Sequence, residues 1–124
     1  MLDVVVINHD PDVLEALAAA LEDDGLTVAK SDARRSAEEL ANLVREQDPR
    51  VVVYDLGPPP VDPAVEKWRN LCQQPGARRP YVITTTYPCQ FDPHPCAVEC
   101  VLLKPMTFDD VNAAVRRAMQ VTLE

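Results

Sequence analysis

The sequence predicts an α/β domain with a doubly wound parallel sheet, on three observations. Short continuous runs of apolar and β-branched residues, Val4-Val5-Val6-Ile7, Val51-Val52-Val53-Tyr54 and Tyr81-Val82-Ile83-Thr84, have the pattern of strands covered on both faces. Segments with apolar residues at helical spacing lie between such runs. Strands alternating with helices imply right-handed crossovers between parallel neighbours.

Taken in order, strand one ends near Asn8, and Asp10-Pro11 reads as an N-cap followed by proline at the first helical position. Val13, Leu14, Leu17, Ala18 and Leu21 then recur on one helical face as far as Gly25, which places helix one over about 11–24. Leu26 to Ala29 gives a weaker second strand. Ser36 and Glu39 supply a capping box for a helix that carries Leu40, Leu43 and Val44 and ends before Pro49. Strand three delivers Asp55, and the loop Gly57-Pro58-Pro59-Pro60 follows it. Asp62-Pro63 opens a third helix, with Val65, Trp68, Leu71 and Cys72 turned to the core. Strand four delivers Thr85 and Thr86. Prolines 88, 93 and 95 then argue for a shortened or irregular helix four. Cys100 to Leu103 is strand five, delivering Lys104-Pro105, and Asp109 to Val121 is the closing helix, with Val111, Ala114, Val115, Ala118 and Met119 on one face. The predicted architecture is a flavodoxin-like sheet of about five strands in the order 2-1-3-4-5.

At 124 residues the chain suits a single domain, 1–124, able to bury its own core. Hydrophobic residues at 47% and charged residues at 26% fit a globular rather than a disordered chain. A net charge of −8 opposes nonspecific attraction to nucleic acid or anionic lipid, so neither is expected as a partner. No apolar run approaches a membrane span and no basic leader precedes the first strand, so a cytoplasmic location with reduced thiols is expected.

In doubly wound sheets, ligands bind beyond the carboxyl ends of the strands. The side chains delivered there are Asn8, His9, Asp10, Asp55, Thr85 and Lys104. A carboxylate, a hydroxyl and an ammonium on one rim can accept a phosphoryl group: Asp55 attacks, Lys104 offsets charge on the oxygens, and Thr85 hydrogen-bonds the product. Asp55-Leu56 with Pro59, Thr85 ending strand four, Lys104-Pro105 ending strand five, and the apolar first strand running into Asn8-His9-Asp10-Pro11 together resemble the receiver domain of two-component response regulators, the CheY-like family. The likeness extends from Val4 to about Val121.

The resemblance implies Asp55 as phosphoacceptor, Thr85 as the switch hydroxyl, Lys104 as the phosphate contact, and the carbonyl of Gly57 as a ligand to magnesium. It implies a sensor histidine kinase or phosphotransfer protein as partner, a homodimer through the strand 4–helix 5 face, and a signalling rather than an enzymatic role. Three departures qualify it. Asn8 and His9 stand where the family has two metal-binding acids, and an amide and an imidazole hold magnesium less well than a carboxylate pair. Val101 stands where the family usually has an aromatic, and Tyr87 to Val98 is broken by prolines. A pseudo-receiver, interacting independently of phosphorylation, is therefore the alternative reading.

Plainer roles stand beside each of these residues. Asp55 and Lys104 can form a buried ion pair that orders the loops. Asp10 can substitute as a metal ligand or serve as the N-cap. His9 can be a solvated or hydrogen-bonded side chain. Cys89, His94, Cys96 and Cys100 have ligand-type side chains, but they lack a Cys-x-x-Cys pair, and packing thiols are expected. The three prolines at 58–60 stiffen a loop more plainly than they recruit a polyproline-binding partner. A flavodoxin-like nucleotide binder is disfavoured, because no glycine-rich loop follows strand one.

Overall fold

Apolar β-branched runs form the sheet and amphipathic segments cover it, as a computed structural model shows for residues 2–55, 80–86, 100–103 and 107–122. The described elements are β1 (Leu2–Asn8), α1 (Pro11–Asp23), β2 (Val28–Asp32), α2 (Ala37–Gln47), β3 (Pro49–Asp55), β4 (Tyr81–Thr86), β5 (Cys100–Leu103) and a closing helix (Phe108–Thr122). All neighbouring strands are parallel, in the order β2-β1-β3-β4-β5. This is the predicted order.

Alternation along the strands divides the core into two clusters, one on each face of the sheet. Val5, Ile7, Val52, Tyr54 and Val82 pack with Leu40 and Val44 of α2. Val4, Val6, Val51, Val53 and Ile83 pack with Leu17 and Leu21 of α1 and with Val111, Ala114, Val115 and Ala118 of the closing helix. The two helices on that second face are also tied at the surface, where Arg116 Nη2 lies 2.7 Å from Asp24 Oδ2.

Two boundaries differ from the sequence reading. The second strand begins at Val28 and runs to Asp32, rather than spanning Leu26 to Ala29. Leu26 belongs to the end of α1: its N–H donates to the Leu21 carbonyl and the Gly25 N–H to the Glu22 carbonyl, with Gly25 at φ 89. That pair of bonds around a left-handed glycine is a Schellman motif, and Leu26 closes it by packing onto the cluster that contains Leu21. The closing helix starts at Phe108 because Thr107 caps it: the Asp110 N–H donates to Thr107 Oγ1 at 3.1 Å, and the Thr107 N–H donates to Asp110 Oδ2 at 2.9 Å.

The expected third helix with Trp68 and Cys72, the helix-four stretch, Gly57 and its proline loop, Lys104, Cys89, His94 and Cys96 lie outside the described residues. Among the described residues no helix is long and apolar enough to cross a membrane.

Candidate functional site

The rim is built where β1, β3 and β4 end. Asp55 pairs with Thr85, and the pairings Val6 to Val53 and Ile7 to Tyr54 bring Asn8 beside Asp55. Side chains alternate, so Asn8, Asp55 and Thr85 share the sheet face that α1 covers, one step beyond Val6, Val53 and Ile83. All three are buried.

A buried carboxylate needs compensating polar contacts. Thr85 Oγ1 donates to Asp55 Oδ1 at 2.8 Å, within the buried zone. On the other oxygen, His9 Nδ1 stands 3.6 Å from Asp55 Oδ2, beyond hydrogen-bond reach. The His9 side chain keeps 25% of its surface exposed, against 5% for Asp55. Its Nδ1 is nevertheless a buried atom with no hydrogen-bond partner among the described residues.

The turn from β1 into α1 explains how His9 comes to face Asp55. Asn8 Oδ1 accepts the Asp10 N–H at 2.9 Å, so the amide folds the chain back over itself. Asp10 then caps the helix: its Oδ1 accepts the N–H groups of Asp12 at 2.9 Å and Val13 at 3.4 Å. The Asp10 side chain is exposed and engaged at the helix start, where it acts as the N-cap.

One rim residue was missed in the sequence. Asp32 ends β2 opposite Asn8, and the Ala33 N–H donates to the Asn8 carbonyl. The Asp32 carboxyl is held below its ordinary range, chiefly by the Arg34 backbone N–H and also by the Arg34 guanidinium and His9, with desolvation opposing them. The signal was present in Ser31-Asp32, but the misplaced strand boundary hid it.

The arrangement is a buried carboxylate at the carboxyl end of a central parallel strand, with a hydroxyl from the next strand bonded to it. The chain has the receiver-domain fold. It is similar to the chemotaxis response regulator CheY4 of Vibrio cholerae at a TM-score of 0.74 and 15% identity, over 95% of this chain and 98% of that one. It is similar to the receiver domain of the sensor histidine kinase PA1611 from Pseudomonas aeruginosa PAO1, which holds magnesium in its active-site cleft, at 0.73 and 15% identity over 96% and 98% of the two chains. The pseudo-receiver domain of the CikA protein matches at 0.70 and 15% identity over 100% and 98%. No family model matches the sequence, and no curated protein is similar to it at the sequence level.

Among the described residues, the pocket offers one buried carboxylate, Asp55, beside the amide of Asn8 and the imidazole of His9. Magnesium takes oxygen ligands in near-octahedral geometry and is held by carboxylates. Here the first position is an amide whose oxygen accepts a backbone N–H, the second is an imidazole, and the third carboxylate is an N-cap. Among the described residues no group of three His, Cys, Asp or Glu side chains could hold a metal ion.

Proposed function

We propose that the chain is a receiver-type module of two-component signalling that acts through protein contacts, with Asp55 at the phosphoacceptor position and a weakened divalent-metal site. Its partners on this reading are a sensor histidine kinase or phosphotransfer protein. A surface from the fourth strand to the closing helix would serve dimerisation. The observation that carries the reading is the buried Asp55 carboxylate with the Thr85 hydroxyl bonded to it at 2.8 Å. In phosphoryl transfer an Asp55 oxygen would attack phosphorus and the bond to the donor's leaving group would break. Thr85 would then hydrogen-bond a phosphoryl oxygen, and Lys104 would offset its charge.

A second reading is favoured by His9. An imidazole in place of an acid removes the charge clamp that phosphoryl transfer depends on, and Thr85 already bonds the unmodified carboxylate. On that reading the domain is a pseudo-receiver whose interface is constitutive. Exposure of the purified protein to a small phosphoryl donor, with and without magnesium and with Asp55→Asn as control, separates the two by intact mass. A phosphate adduct lost in the control supports the receiver; a folded protein without adduct supports the pseudo-receiver.

A further inference from the structure

We propose that His9 is a phosphoryl contact: its Nδ1–H donates to a phosphoryl oxygen carried by Asp55, a bond that the unmodified carboxylate is too distant to accept. The inference rests on the reading of Asp55 as phosphoacceptor and adds to it a residue that recognises the modified state.

Three observations lead to it. The first is the unsatisfied Nδ1 of His9. It is a buried atom with no hydrogen-bond partner among the described residues, and a buried polar atom in that condition is unfavourable until a partner reaches it. A neutral imidazole carries one ring proton on either nitrogen, so an acceptor placed beside Nδ1 selects the Nδ1–H tautomer.

The second is distance. Nδ1 stands 3.6 Å from Asp55 Oδ2, out of reach of a direct hydrogen bond. Attack through Oδ2 forms the Oδ2–P bond and sets the phosphoryl oxygens one bond further out. Rotation about that bond brings one of them to about 2.9 Å from Nδ1, an ordinary N–H···O distance. The gap that shuts out the bare carboxylate therefore admits the phosphoryl group.

The third is how the pair is held and reached. Thr85 donates to Oδ1 at 2.8 Å, with Oδ2 on the imidazole side. The ring is carried by the turn that Asn8 Oδ1 closes with the Asp10 N–H at 2.9 Å, so its place is set by the backbone and not by the carboxylate. A quarter of the His9 side chain is exposed, so a phosphoryl donor approaching Asp55 meets the ring. In the transfer, the bond from phosphorus to the leaving group breaks and its electron pair departs with that group. The imidazole proton stays on Nδ1, shared with a phosphoryl oxygen. An N–H fixed beside oxygens that carry negative charge stabilises both the transfer and its product.

Acetyl phosphate is the probe, with magnesium at one fixed concentration throughout so that the metal is not a variable. Intact mass should show a phosphate adduct on the parent chain that forms about tenfold or more slowly in His9→Leu, which keeps bulk without a donor. His9→Asn should recover most of the rate, because its amide N–H falls close to the place of Nδ1. In the unmodified sequence, labelled with nitrogen-15 at its histidines, phosphorylation should move the His9 ring nitrogens towards the Nδ1–H tautomer, a reading that needs no variant to fold. An adduct formed at the parent rate in His9→Leu, equal slowing in His9→Leu and His9→Asn, or His9 nitrogens that do not respond to phosphorylation would each overturn the contact while leaving Asp55 as phosphoacceptor. A folded parent chain that takes up no phosphate would overturn the contact and the phosphoacceptor reading together.

Discussion

Thr85 tests how much the pocket depends on one hydroxyl. Thr85→Val keeps the branched shape and removes the donor to Asp55 Oδ1, leaving a buried carboxylate short of a partner. The expected loss is about 1–3 kcal/mol of unfolding free energy, measured by urea denaturation, whereas Thr85→Ser should retain most of the bond. Equal stability of all three proteins would mean that the bond contributes nothing net. Asp55 and Thr85 were legible in the sequence because each directly follows a buried strand run, and strand ends are where such sheets place ligands. The placement of His9 against Asp55 was not. A single histidine after a strand reads as solvated, and only the turn made by Asn8 Oδ1 and the Asp10 N–H brings its ring towards Asp55. Asp10 was legible: Asp10-Pro11 reads as an N-cap, and the Asp12 and Val13 N–H groups donate to its Oδ1.

Helix ends, at the next scale, were the most legible features, because capping chemistry is local. The Ser36–Glu39 box forms as its spacing predicts, with the Glu39 N–H donating to Ser36 Oγ at 3.1 Å and the Ser36 N–H to Glu39 Oε1 at 3.4 Å. Ser36→Ala should cost about 1 kcal/mol in thermal or urea unfolding. The start of β2 was misread because Leu26 is apolar and so resembles a strand residue. Its backbone is committed to the Schellman motif instead. Gly25 is the residue on which that motif turns. A Cβ there meets no atom within 4 Å, so any penalty comes from its φ of 89 and not from crowding. Gly25→Ala is expected to cost about 1 kcal/mol. Gly25→Asn should cost less, since asparagine tolerates the left-handed region. If both variants matched the parent in a urea titration, the α1 terminus would not be under this constraint.

Across the whole molecule, the sheet joins the rim to the core through neighbouring residues that face opposite ways. Asp55 ends on the face of α1 and the closing helix, while Tyr54, fully buried, packs in the cluster beneath α2. Burial pushes the Tyr54 phenol well above its ordinary value, and the negative charge of Asp55 pushes it further in the same direction. In the unfolded chain the phenol ionises near pH 10; in the folded chain it stays protonated beyond that. The raised value therefore contributes stability that is fully present below about pH 10 and is lost as pH rises above it, because only the unfolded state then releases the proton. The slope from this one group approaches about 1.4 kcal/mol per pH unit. Tyr54→Phe removes the titration and keeps the ring. Urea unfolding from pH 9 to 11.5 should show the parent losing stability more steeply than Tyr54→Phe above pH 10, with the two slopes alike below it. Tyr81 and Tyr87 are present in both proteins, so the difference between the curves belongs to Tyr54. Parallel curves throughout would mean that the phenol ionises as freely folded as unfolded, which the closed packing of Val5, Ile7, Leu40 and Val52 in the same cluster does not allow. Asp55→Asn, which removes the second and smaller cause, should flatten the alkaline limb only in part, because desolvation remains.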